Sequence, residues 1–207
     1  MSDGRMNVHD RPKQRDSRHA GLVLAAGASE RMGQPKALLL TAAGIPLALH
    51  QAQLLGEAGY EPVLIVLGAR YDEIADHLHS FTLVRNGEWQ RGRFSSVQAG
   101  LRALNDVDGA LILPVDTVGV SVKTMREIRL EAENTRAIAI RPTFHGSNGK
   151  IAWISAALFR ELLTMSADTR LDHVLETRAV KLPVENAAIL NNVNTPDDWA
   201  RAKKLLH

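Results

Sequence analysis

The chain has 207 residues, 45% of them apolar, with 25 Lys/Arg against 23 Asp/Glu and no cysteine. That length suits one domain with a sizeable core, and the lack of cysteine excludes disulfides, thiolate zinc sites, iron–sulfur clusters and cysteine nucleophiles. Nothing approaches the ~18 unbroken apolar residues of a membrane helix, and a body with few aromatics and no basic excess is a poor candidate for nucleic-acid binding.

The charge is uneven. Five Lys/Arg and three Asp/Glu fall within residues 1–20, which leaves twenty of each sign in 21–207. The leader, residues 1–20, lacks the apolar stretch of a secretory signal and has little to bury, so it reads as disordered. Residues 21–207 read as a single domain. The cytoplasm is the natural compartment for a chain without cysteine.

Gly21 to Ala26 is a compact apolar run, read as a buried parallel strand that stops at Gly27. Pro46 to Ala58 has a helical pattern that opens at a Pro and closes near Gly59. Pro62 to Leu67 is a second buried strand, Tyr71 to His79 a helix and Phe81 to Arg85 a strand. Ser95 to Leu104 is helical, with Ser at its start. Gly109 to Val115 is a strong strand that ends at Asp116, and Ser121 caps a helix running to Glu133. Shorter strands are expected at Arg136–Ile140 and Lys150–Ile154. Helices follow at Ala156–Met165 and Thr169–Glu176, a strand at Ala179–Val184, and a closing helix at Pro196–Leu206. Alternating strands and helices predict an α/β architecture, a mostly parallel sheet covered on both faces, with ligands at the carboxyl ends of the strands. Gly27–Lys36 and Asp116 then share one edge.

The most informative stretch is Leu24-Ala25-Ala26-Gly27-Ala28-Ser29-Glu30-Arg31-Met32-Gly33-Gln34-Pro35-Lys36. It is neither a P-loop nor a dinucleotide fingerprint: Gly27 and Gly33 are one residue too far apart for the first, and Ala28-Ser29 follows Gly27 where the second needs glycine. Small residues at 25–27 permit close backbone approach. Arg31 can fork onto phosphate oxygens, and Lys36 adds a point charge. Either cation alone is ordinary on a surface loop; the whole pattern points to a polyanion.

This stretch resembles the loop of the MobA-like nucleotidyltransferases, most of all the branch that includes molybdenum cofactor cytidylyltransferase. The resemblance implies a three-layer α/β/α, GT-A-like fold with a mixed sheet. It implies transfer of a nucleoside monophosphate from an NTP to a phosphate-bearing small molecule such as molybdopterin, with release of pyrophosphate. By the same resemblance Leu24, Ala25, Ala26 and Gly27 bind the nucleotide, and Arg31 and Lys36 neutralise its triphosphate. CTP is slightly favoured, because the loop reads Leu-Ala-Ala-Gly where the form associated with GTP reads Leu-Ala-Gly-Gly.

Asn86-Gly87-Glu88-Trp89-Gln90-Arg91-Gly92 through Gly100 is similar to a second family block, which implies that Asn86, Gly92 and Ser96 line the nucleotide pocket. In the family, the carboxylate equivalent to Asp116 binds Mg²⁺, an ion that prefers oxygen ligands and keeps several waters. Asn192-Val193-Asn194-Thr195-Pro196 resembles a segment with Asp at both early positions. Here Asn194 is either a weaker second metal ligand, or the segment only caps the last helix through Thr195 and Asp197.

Other positions depart from the family pattern. Gly149-Lys150-Ile151 stands where His-Pro is common, in the region that faces the acceptor. Lys150 either meets an anionic acceptor or is a solvated residue at a strand start, the commoner case. Asp168 and Arg170 read as an N-cap and a surface residue. No membrane or nucleic-acid partner is expected, and the oligomeric state is not specified. Two rivals stay open: the same chemistry on a sugar phosphate or other small acceptor, and a nucleotide-binding regulator without turnover.

Overall fold

A computed structural model describes residues 17–206. Its eight strands form one sheet in the order β3-β2-β1-β4-β7-β5-β6, with β8 on β5. The strands are β1 (His19–Ala25), β2 (Val63–Leu67), β3 (Thr82–Arg85), β4 (Gly109–Pro114), β5 (Ala139–Phe144), β6 (Ser147–Asn148), β7 (Ala152–Ser155) and β8 (Val180–Pro183). The helices are α1 (Leu47–Glu57), α2 (Tyr71–Ala75), α3 (Arg93–Arg102), α4 (Val122–Asn134), α5 (Ala156–Thr164), α6 (Leu171–Arg178) and α7 (Pro196–Ala202).

Strand periodicity divides the core into two layers, because successive side chains point to opposite faces. Val23, Ala25, Ile65, Leu67, Leu111 and Leu113 join Leu47 and Leu55 of α1 and Met125 and Ile128 of α4 on one face. Leu22, Leu24, Leu64, Val66 and Ile112 join Val97 and Leu101 of α3, Leu158 and Leu162 of α5, and Leu171 and Leu175 of α6 on the other. The result is the three-layer α/β/α arrangement. β1, β2, β3 and β4 run parallel; β7 is antiparallel to both β4 and β5.

Several boundaries differ from the sequence reading. Residues 1–16 lie outside the described residues, but the leader does not extend to Ala20. His19 and Ala20 are buried in β1, pairing with Gly109 and Ala110 of β4. α3 begins two residues before Ser95, with Gly92 at its cap position at φ +101°. β5 starts later than expected and runs to Phe144. Both its edges are paired, so Arg141 and Thr143 belong to the ladder despite their polarity. α2 stops at Ala75, and the chain then turns to bury Leu78 before β3. α6 starts at Leu171, with Arg170 at its cap position. α7 ends at Ala202 and gives way to a tighter turn over Lys203–Leu205. Ser121 caps α4 as expected, accepting from the Thr124 N–H.

One packing contact ties the first strand to the sheet. Trp153 of β7 lies over Gly109 of β4 and donates from Nε1 to His19 Nδ1 at 3.2 Å. Burial holds the His19 imidazole below the ordinary histidine value, so the ring stays neutral and its Nδ1 can accept that hydrogen bond. A Cβ added at Gly109 would stand 2.2 Å from Trp153 Cζ2 and 2.7 Å from the Ile154 carbonyl oxygen. Gly109→Ala is therefore expected to destabilise the fold by about 1–3 kcal/mol, read as a lower urea midpoint at unchanged slope. The same His19, with His50 in the same direction, sets a pH dependence. The unfolded chain takes up protons near pH 6.5 that the folded chain does not, so stability is full above that value and falls as the pH drops below it. Urea midpoints measured at several pH values, with His19→Gln reducing the slope, check this.

Candidate active site

The carboxyl ends of β1 and β4 lie side by side, Leu24 opposite Pro114, and the Val115 N–H donates to the Leu24 carbonyl at 3.0 Å. The loops that follow these strands form one wall each of a cleft of about 750 Å³. Leu24, Ala25, Ala26, Gly27, Arg31 and Lys36 line it from the first loop. Asp116 and Thr117 line it from the second, Gly92 and Ser96 from the start of α3, and Asn194 from the segment before α7.

The first loop is fixed by its own contacts. Met32 is buried, and residues Glu30–Met32 make a short 3-10 turn between Ser29 and Gly33, both with positive φ. Ser29 Oγ accepts from the Lys36 N–H at 3.0 Å, which closes the loop across seven residues. Gly27 has open space where a Cβ would stand, so a ligand can approach its backbone.

Asp116 is held from below. Gln51 of α1 is buried, and its Nε2 donates to the Thr117 carbonyl at 3.0 Å and the Val115 carbonyl at 3.4 Å. The amide thus straddles Asp116. The Asp116 carbonyl accepts from the Val193 N–H at 2.9 Å, which brings Asn194 alongside. Lys36 Nζ then donates to Asp116 Oδ2 and to Asn194 Oδ1, each at 2.9 Å. Residues 80 and 158 positions from Lys36 meet on one ammonium.

These contacts bear out the capping reading of the 192–198 segment. It does cap α7: Thr195 Oγ1 accepts from the Asp198 N–H, and Asp198 Oδ2 accepts from the Thr195 N–H. The acid in that cap is Asp198, not Asp197. The Asn194 N–H, foremost, and the Thr195 contacts hold the Asp198 carboxyl below its usual range. Asn194 also faces the cleft.

Asn86 is a correction. It is buried and does not line the cleft. Its Nδ2 donates to Ser95 Oγ and Ser96 Oγ at 2.9 and 3.0 Å, and its Oδ1 accepts from the Glu88 N–H. Its amide is used up in shaping the turn that delivers Gly92 and Ser96. Asp168 is not an N-cap but sits within ion-pair range of Arg91, at 3.3 Å. Trp89, Gln90, Arg93, Asp172 and Asn192 line the cleft without having been singled out. Trp89, Gln90, Arg93 and Asn192 stood inside or beside the quoted motifs; nothing in the sequence pointed to Asp172.

The oxygen atoms around Lys36 fit a hard divalent cation. Asp116 Oδ2 and Asn194 Oδ1 already converge on a single positive charge. Among the described residues no group of three His, Cys, Asp or Glu side chains assembles into a metal site. Mg²⁺ needs none, since one or two protein oxygens suffice when phosphates and water complete the shell.

The model of the MobA-like NTP transferase domain matches residues 21–183. The nicotine blue oxidoreductase of Paenarthrobacter nicotinovorans is 35% identical over 107 residues, a match that spans 51% of this chain and 52% of that protein. The molybdenum cofactor guanylyltransferase of Xanthomonas euvesicatoria pv. vesicatoria is 31% identical over 87% of this chain and 92% of its own length. In structure, Rv0371c of Mycobacterium tuberculosis H37Rv superposes with a TM-score of 0.76 at 23% identity, covering 91% of this chain and 98% of that one. That likeness carries the fold.

Gln51→Leu removes the donor from both carbonyls that flank Asp116. It is expected to lower stability by about 1–3 kcal/mol in chemical denaturation, and an unchanged urea midpoint would show that the amide does not brace this loop.

Proposed function

The chain belongs to the MobA-like NTP transferase family and is a nucleotidyltransferase, and from that premise we propose that it transfers a nucleoside monophosphate to a phosphate-bearing small molecule of the molybdopterin class. The observation that carries this reading is the meeting of Arg31, Lys36, Asp116 and Asn194 on one cleft at the strand ends. The guanylyltransferase relative matches over 87% of the chain and supports the acceptor class.

In this reading a phosphate oxygen of the acceptor attacks the α-phosphorus of the NTP. The new P–O bond forms as the bond to the β-phosphate oxygen breaks, and pyrophosphate leaves with the electron pair. An ionised phosphate needs no general base, so the work falls to positioning and charge. Arg31 offers a guanidinium fork to the phosphates. Lys36 turns from Asp116 toward the triphosphate and meets the charge that passes to pyrophosphate. Ala25, Ala26 and Gly27 admit the nucleotide against the backbone, with Gly92 and Ser96 on the opposite side. Asp116 and Asn194 would hold Mg²⁺. When bound, that ion neutralises phosphate charge and orients the leaving group. For the base we propose CTP, on the ground of Ala26 in the loop. The guanylyltransferase relative makes GTP the competitor.

Purified protein with Mg²⁺ is expected to release pyrophosphate from one NTP once a phosphorylated acceptor is supplied. Tight NTP binding without turnover across a broad acceptor panel would instead mean a regulator. A thermal-shift series with the four NTPs identifies the base, because stabilisation grows as ln(1 + [L]/Kd). Asp116→Ala is expected to abolish Mg²⁺-dependent release, and an unchanged rate would remove Asp116 from the metal. Lys36→Ala is expected to weaken triphosphate binding more than monophosphate binding, and equal losses would argue against its place on the phosphates.

A further inference from the structure

The segment that delivers Asp116 is clamped along its whole length. Each carbonyl from Val115 to Val118 accepts from a donor outside the segment. Gln51 Nε2 serves the Val115 and Thr117 carbonyls, at 3.4 and 3.0 Å. The Val193 N–H serves that of Asp116 at 2.9 Å, and Asn191 Nδ2 serves that of Val118 at 2.7 Å. Val115, Thr117 and Val118 are buried, so the part-exposed Asp116 is the one side chain of the four that the clamp offers outward.

The donors come from two places. Asn191 and Val193 belong to the segment before α7. Gln51 reaches in from α1, whose Leu47, Ala48, Ala52 and Leu55 are locked in the core. The Val115 and Asp116 carbonyls lie in the two peptide planes that meet at the Asp116 Cα. With those planes held, the two backbone dihedrals of Asp116 are held, and so is the direction of its Cα–Cβ bond. Gln51 secures the first plane and also the one that follows Thr117.

The clamp has a cost. Gln51 Oε1 is buried and has no partner among the described residues. A buried polar atom left unpaired works against stability, and a methionine of the same length would bury none. Packing alone therefore does not account for an amide at this position; what the amide supplies is its pair of bonds around Asp116.

We infer that Gln51 is a positioning residue, which sets the direction of the Asp116 carboxylate and thereby the strength with which the site holds a divalent cation beside the nucleotide. This rests on the proposed place of Mg²⁺ at Asp116. Gln51 is 1% exposed, and it acts through the backbone it bonds, not by touching the ion or the substrate.

Calorimetry on the full chain, without acceptor, reads the NTP Kd twice, once with Mg²⁺ and once with EDTA. The NTP used is whichever of the four stabilises the wild type most. The EDTA value divided by the Mg²⁺ value measures what the metal adds to binding. Gln51→Met keeps the length of the side chain and removes the donor. Gln51→Asn keeps the amide, shortens its reach and serves where Gln51→Met does not fold; circular dichroism verifies both. Each variant is expected to leave the EDTA Kd within about twofold and to lower the ratio about tenfold, the low end for a group that orients a metal ligand. Equal losses in both media, with the ratio unchanged, are what a merely structural role gives and would overturn the inference. Asp116→Ala tests the metal reading separately. A ratio that Asp116→Ala leaves intact overturns that reading and the inference with it. A ratio that Asp116→Ala lowers and the Gln51 variants do not overturns the inference alone.

Discussion

One ammonium organises the site. Lys36 Nζ joins the loop after β1, the loop after β4 and the segment before α7 through two contacts of 2.9 Å. Lys36 and Asp116 are both largely shielded, with side-chain exposures of 14% and 27%. At such burial each ion gives up hydration, and the pair's net worth is well below its Coulomb energy. Its value is therefore one of placement. Three segments that are remote in the chain are set to one point, and each is also secured by hydrogen bonds of its own: Ser29 Oγ to Lys36, Gln51 to the carbonyls around Asp116, and the Thr195–Asp198 box beside Asn194. These separate bonds hold the backbone of each segment in place even where the Lys36 ammonium itself is free to swing.

Sheet direction accounts for the shape of the cleft. Four parallel strands send their following loops to one edge, which puts residues 26–36 and Asp116 together. A sheet that stayed parallel would place only such loops there. The antiparallel β7 instead brings its leading residues to that edge, and Lys150 with them. The two walls thus come from different topological sources. The first presents backbone and two cations; the second presents long basic side chains steadied by Asp172.

Much of this was legible in the chain because apolar runs and small-residue loops are local signals. β1, β2 and β4 are continuous hydrophobic runs, and the Leu24–Lys36 pattern announces its loop directly. What escaped was what pairing and long-range contacts decide. β5 continues through Arg141 because β8 flanks it, not because its residues favour a strand. His19 looked like leader until Trp153 covered it. α3 starts at Arg93, with Gly92 as its cap, because the turn is shaped by the buried Asn86 amide, which no period reveals. Asp172 reads as a polar residue in a helical pattern; only the fold sets it between two arginines.

The same charge logic bears on the asparagines at 192 and 194. Lys36 balances Asp116, and Asn194 contributes an oxygen without charge. The three groups are together neutral, whereas a carboxylate at 194 would leave them with a net negative charge and a stronger pull on a bare divalent ion. A group of atoms with no net charge, one ammonium included, holds a cation weakly until phosphates add their own charge. In the proposed function, the affinity of this cleft for a metal would be tied to the polyanion beside it. In the function proposed above, a triphosphate that drew Lys36 away would uncover Asp116 in the same motion, so one displacement would serve both the phosphates and the ion that accompanies them.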